Sequence, residues 1–143
     1  MGFATRYIVF LLLLASGTVS ALESPAINAA RAQTNYMLNC QGCHLADGSG
    51  LPGSVPSMQG FVGSFLTIPG GREFLVQVPG SANSPLSNAD LAELLNWILI
   101  TMSAEQLRQD FEFYTEAEVR QARAQVLVDV AEVRAGLVSR MSR

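Results

Sequence analysis

Between residues 48 and 80 the chain is punctuated by Gly48, Gly50, Pro52, Gly53, Pro56, Gly60, Gly63, Pro69, Gly70, Gly71, Pro79 and Gly80. No long helix survives there, because proline removes a backbone donor and glycine raises the entropic cost of ordering. So long a stretch is uncommon in a compact domain unless it wraps something or carries function. With 143 residues in all, one modest domain must accommodate it.

The flanking segments read as helices. Ser24-Pro25 pairs an N-cap residue with a proline at the first helical position, and 25–39 has no interior Gly or Pro. Ala29, Ala32 and Tyr36 give it one apolar stripe. A second helix opens at Ser87, with Asp90 completing a carboxylate variant of the capping box and Leu86 and Leu91 able to form the staple. Its Leu91, Leu94, Leu95, Ile98 and Met102 mark one face while Trp97, Leu99 and Ile100 fill the other, so burial on more than one side is expected. Ser103-x-x-Gln106 and Thr115-x-x-Glu118 are two further capping boxes. A final helix over 116–138 carries a narrow seam of Val119, Ala122, Val126, Val130, Val133 and Leu137. That seam reads as packing on its own domain, with a partner-binding or dimer seam as the alternative.

The first residues read as an address. Arg6, the nine-residue apolar run Tyr7–Ala15 and the small-x-small end Val19-Ser20-Ala21 form a secretory signal peptide, with cleavage after Ala21. The run is less than half the roughly 20 residues that a spanning helix needs, so the mature chain is expected to have no membrane span. All 9 basic residues are Arg, against 12 acidic ones, for a net charge of −3. With no basic cluster, nucleic-acid binding is excluded. Charged residues make up 15% and apolar ones 49%, which argues against disorder.

Both cysteines and the single histidine fall in one pentapeptide, Cys40-Gln41-Gly42-Cys43-His44. C-x-x-C-H is the attachment signature of c-type haem. Cysteines one turn apart can reach two vinyl groups on one porphyrin edge, and the adjacent His can bind iron beneath the ring. A zinc site would be short by one ligand. A thioredoxin-type pair would follow a strand, whereas this motif follows a helix.

Over roughly residues 25–102 the chain resembles the bacterial class I (monohaem) cytochromes c. Besides Cys40–His44, the likeness rests on Ala32 and Tyr36, eight and four residues before Cys40, on Trp97 in the later helix, and on Pro56, twelve residues after His44. The resemblance implies an all-α fold, cytochrome c-like helices wrapped around one covalently attached haem, here with an extra C-terminal helix. It implies that Tyr36 and Trp97 meet where the first and last helices of that domain cross, and that the Pro56 carbonyl accepts a hydrogen bond from His44. Such a bond fixes the imidazole tautomer and raises its basicity. Met58 falls where the family packs a leucine against the ring. The organisation expected is a signal peptide over 1–21, a cytochrome domain over 22–102 and a helical extension over 103–143.

The sequence departs from the family at the sixth iron ligand. Where a methionine is usual it reads Gln77-Val78-Pro79-Gly80-Ser81-Ala82-Asn83. Two readings stay open: Met58 crosses to the distal face and binds iron, giving with His44 the pair that raises the potential, or Met58 packs on the His44 side as an apolar filler and the distal site is open or weakly occupied. Arg72 is a candidate partner for a haem propionate, with a surface pair to Glu73 or Asp47 as the alternative. Phe61, Phe65, Phe74 and Leu75 read as pocket and core, and Glu112, Glu116 and Glu118 as a solvated acidic helix start.

These features point to a periplasmic, non-enzymatic carrier of single electrons between a donor and an acceptor protein, holding one covalent haem c and its iron. An open sixth site would instead suit binding or sensing of a small gas. The extension past residue 102 suits a subunit of a dehydrogenase or oxidase complex, docked through the C-terminal helix.

Overall fold

The computed structural model describes residues 26–125 and 127–141, and over them the fold is all-α. The helices are α1 (Ala29–Asn39), α2 (Gln41–His44), α3 (Gly71–Gln77), α4 (Pro79–Ala82), α5 (Asn88–Met102), α6 (Glu116–Arg123) and α7 (Val130–Met141), with 3₁₀ turns at Val62–Thr67 and Ala104–Gln106. Among the described residues the β-structure is one isolated bridge, Leu51 to Val55. The expected signal peptide, the Ser24-Pro25 cap and Val126 of the seam lie outside the described residues.

Helix α1 starts later than expected. Ala26–Asn28 are not helical, and the Asn28 side chain caps α1 by accepting from Arg31 N at 3.0 Å. The Asn28 N–H also donates to Glu93 Oε1 at 2.9 Å, so the cap is tied to α5 as well as to its own helix. Arg31 adds a bidentate pair to Glu93 at 2.6 and 2.7 Å. Ala32 and Tyr36 form the buried stripe, and the Tyr36 and Trp97 rings meet at 5.6 Å between centroids where α1 crosses α5.

Helix α5 is the central strut. Ser87 caps it by accepting from Asp90 N at 3.0 Å, as its sequence predicts. Its Leu91, Ala92, Leu94, Leu95, Asn96, Ile98 and Leu99 are buried, between α1 on one side and α6 on another. Burial is not complete all round, because Ile100 is 39% exposed.

The 48–80 stretch is compact rather than open. It holds the 62–67 turn, α3 and the start of α4, none longer than seven residues. Gly71 starts α3 against the Phe65 carbonyl, so closely that an added Cβ would collide with it. Ser103 does not act as a helix cap. Its hydroxyl accepts from Gly63 N at 2.9 Å and donates to Gln106 Oε1 at 2.9 Å, no side-chain bond reaches the backbone of the turn, and only a three-residue 3₁₀ turn follows. The tertiary demand of a buried amide outweighs the local box.

The expected continuous 116–138 helix is two helices. Thr115 caps α6 by accepting from Glu118 N at 3.2 Å. Asp129 then accepts from Glu132 N at 2.9 Å, which starts α7 afresh. An Asp followed three residues on by Glu is itself a capping signal, and Val126 and Val128 before it are stiff β-branched residues. The seam divides accordingly: Val119 and Ala122 bury on α6, Leu137 buries on α7, and Val133 is 37% exposed. Helix α6 lies against α5 and α3, and α7 against the 62–67 turn.

Candidate functional site

The pentapeptide begins where α1 ends. Cys40 N donates to Tyr36 O at 2.8 Å, and the α2 turn closes through His44 N to Cys40 O at 2.9 Å. Leu45 follows with a φ of 54°, an uncommon conformation for a branched residue. The Tyr36 hydroxyl holds that corner by donating to the Leu45 carbonyl at 2.6 Å. The buried aromatic of α1 therefore sets the direction in which the chain leaves His44.

Cys40, Cys43 and His44 line one groove of about 500 Å³. Its opposite walls come from Phe65, Phe74, Leu95 and Ile98, and from the 78–81 segment. The size and the apolar lining with a few convergent polar groups are those of a cofactor site. The two cysteines form no disulfide with each other, and burial together with the neighbouring Cys43 pushes Cys40 up to about 11. Burial lowers the pKa of His44 while the Pro56 carbonyl facing the ring raises it. Burial is the larger effect, so the imidazole stays neutral, the form that binds a metal. His44 Nδ1 is buried with no hydrogen bond completed, so the Pro56 contact stops short of a formed bond.

No protein-family model matches this chain. It is similar to a cytochrome c-552 of Thermus thermophilus, 30% identical over 106 residues that span 62% of this chain and 81% of that protein. A second cytochrome c-552 of the same species is also 30% identical over 106 residues, covering 72% of its length. The chain belongs to the c-type cytochromes.

The groove of this cytochrome contains some of the residues its sequence singles out and omits another. Pro56, Met58, Phe61, Phe65, Phe74 and Leu75 line it together with the pentapeptide. Met37, Met102 and Met141 do not, which leaves Met58 as the one thioether among the described lining residues. Arg72 is displaced from its expected role. Its guanidinium pairs with Glu118 through Nε at 2.7 Å and Nη2 at 2.9 Å, donates to Glu112 O at 2.9 Å, and covers the Tyr114 ring. It staples α3 to α6, and neither expected surface partner is involved. Glu118 correspondingly is not a free member of an acidic patch.

Three features escape sequence reading. Asn96, on the buried face of α5, exchanges two hydrogen bonds with the Tyr114 backbone at 2.7 and 3.0 Å. A polar residue in an apolar helix was the available signal. Arg123 donates to the carbonyls of Ala82, Ser84 and Leu86, holding the loop that leads into α5. Arg134, on α7, lines the groove, although more than 80 residues separate it from the pentapeptide in sequence.

Proposed function

We propose that this cytochrome is exported to the periplasm and carries single electrons between a donor and an acceptor protein by means of one covalent haem c. The observation that carries the reading is the convergence of Cys40, Cys43 and His44 on one apolar groove that the rest of the fold is built around. Cys40 and Cys43 would form the thioethers, and His44 would be the proximal iron ligand, backed by Pro56. The domain scheme follows: residues 1–21 direct export, 22–102 form the cytochrome domain, and 103–143 an extension.

When bound, the haem supplies a metal centre that changes charge by one electron. The chain's residues keep that change cheap. A neutral His44 is held at a defined corner by Tyr36, and Phe65, Phe74, Leu95 and Ile98 exclude water. Among the described residues no helix is long and apolar enough to cross a membrane, and partners would dock on the open side of the groove. The chain acts as a carrier in this reading and performs no bond-making step of its own.

The sixth iron position has two candidate states. Met58 is the internal ligand the groove offers. An open site is favoured by the 78–81 segment, whose Val, Pro, Gly and Ser bring no sulfur or imidazole to the wall. Near-infrared absorption of the ferric protein separates them, since sulfur-to-iron charge transfer requires Met58. Carbon monoxide binding by the ferrous form tests the small-ligand reading in the same sample.

The central test is direct. Full-length chain expressed in a host with c-type maturation should carry haem that survives denaturation and acid–acetone extraction, and its mass should show one haem on a chain beginning near residue 22. Colourless, unmodified protein from such a host rejects the proposal.

A further inference from the structure

We infer that Arg134, carried by α7, supplies the cation that meets the carboxylate edge of the bound haem, so that the C-terminal extension completes the cofactor site. The inference rests on the haem reading above and deepens it. Haem brings two propionates to any site that holds it, and a carboxylate edge beside an apolar wall calls for a cationic donor. Arg72, the sequence candidate, is committed to Glu118 and does not line the groove. Arg134 lines it, and among the described lining residues it is the one arginine; no carboxylate joins it there.

The placement of Arg134 is unusual for a charge. Val130, Arg134, Leu137 and Met141 follow one another at helical spacing along one face of α7, and the other three pack on the core. That face is seated by Leu137, 3% exposed, and by Arg140, whose Nη2 donates to Pro69 O at 3.1 Å. Arg134 is thus half-buried on an apolar stripe, with its guanidinium 5.6 Å from the centroid of the Phe61 ring, itself a groove residue. A helix face that turns apolar residues to the core at three positions and a guanidinium at the fourth matches a ligand that is apolar with an anionic rim. The titratable groups facing the same space are His44, Cys40 and Cys43.

The test uses the holoprotein of the full chain. A cation beside the haem disfavours the more positive ferric state, so Arg134→Gln should lower the reduction potential. Arg134→Lys should restore most of it, since Lys keeps the charge without the fork. Mass spectrometry shows whether each variant carries covalent haem. If parent and Arg134→Gln both carry it at the same potential, this inference fails while the haem reading stands; if the parent carries none, the haem reading itself fails. Should Arg134→Gln not mature, the parent decides: slow exchange of the Arg134 Nε–H in nitrogen-15 spectra supports a bound carboxylate. Exchange at the rate of a solvated arginine overturns the inference.

Discussion

Asn96 and Tyr114 hold each other by a reciprocal pair of hydrogen bonds: Tyr114 N donates to Asn96 Oδ1 at 2.7 Å, and Asn96 Nδ2 donates to Tyr114 O at 3.0 Å. One amide side chain thereby satisfies both backbone groups of a residue that is 2% exposed. The Tyr114 hydroxyl continues the link by donating to Arg72 O at 2.9 Å. Helix α5, the segment before α6 and α3 are joined at that point.

Asn96→Leu should therefore destabilise the protein despite adding apolar volume to an apolar helix. It orphans a buried N–H and a buried carbonyl, at about 1–3 kcal/mol for each. Chemical denaturation of the holoprotein checks this, and an unchanged midpoint would remove the pair from any structural role.

Tyr36→Phe keeps the ring against Trp97 and deletes the hydroxyl's bond to the Leu45 carbonyl at 2.6 Å and its longer one to the His44 carbonyl at 3.3 Å. The expected loss is about 0.5–1.5 kcal/mol. Leu45→Gly should recover part of it, since glycine takes a positive φ without strain. Thermal melts of the single and double variants test the coupling, and strict additivity would count against it.

Acid should loosen the α1–α5 clamp. Hydrogen bonding from Arg31 holds the Glu93 carboxyl below its usual range against the opposing effect of burial, and the Asn28 N–H and then the Arg31 charge add to it. A depressed carboxylate contributes stability above its unfolded pKa, near 4.3 for Glu, and loses it as pH falls through the lower folded value. Glu93→Gln should be less stable than the parent at neutral pH, and the gap should close as the pH falls below about 4. A gap that stays constant down to low pH would place the contribution elsewhere.

His44→Ala should retain thioether-bound haem yet lose the low-spin ferric spectrum, because the thioethers do not depend on the imidazole. Cys40→Ala combined with Cys43→Ala should leave a largely unfolded chain, since a core facing a groove of about 500 Å³ lacks its filling. Circular dichroism during melting checks the second point. A cooperative, native-like transition without haem would contradict it.

Asp129→Ala removes the N-cap of α7 and should cost about 0.5–2 kcal/mol. Because α7 brings Val130 and Arg134 to the groove, the same change should also broaden the visible spectrum of the bound haem. Stability loss with an unaltered spectrum would mean that α7 does not shape the site.

The local signals read true wherever a neighbour in sequence decides the outcome. The Ser87 and Thr115 caps and the absence of long helices between 48 and 80 were legible from residue type and spacing, and the Tyr36 and Trp97 crossing from the resemblance to the class I cytochromes. Tertiary structure decided the rest, because two candidates competed for one partner and only the packed chain could choose. Asn28 caps α1 where Glu93 comes within reach, and Ser103 accepts from Gly63, forty residues away, while its hydroxyl donates to Gln106 of its own turn. Arg72 turns to Glu118, and Arg134 arrives at the groove from a helix that restarts at Asp129. Charges choose partners by distance in space, and spacing along the chain carries that information only within a turn or two of helix.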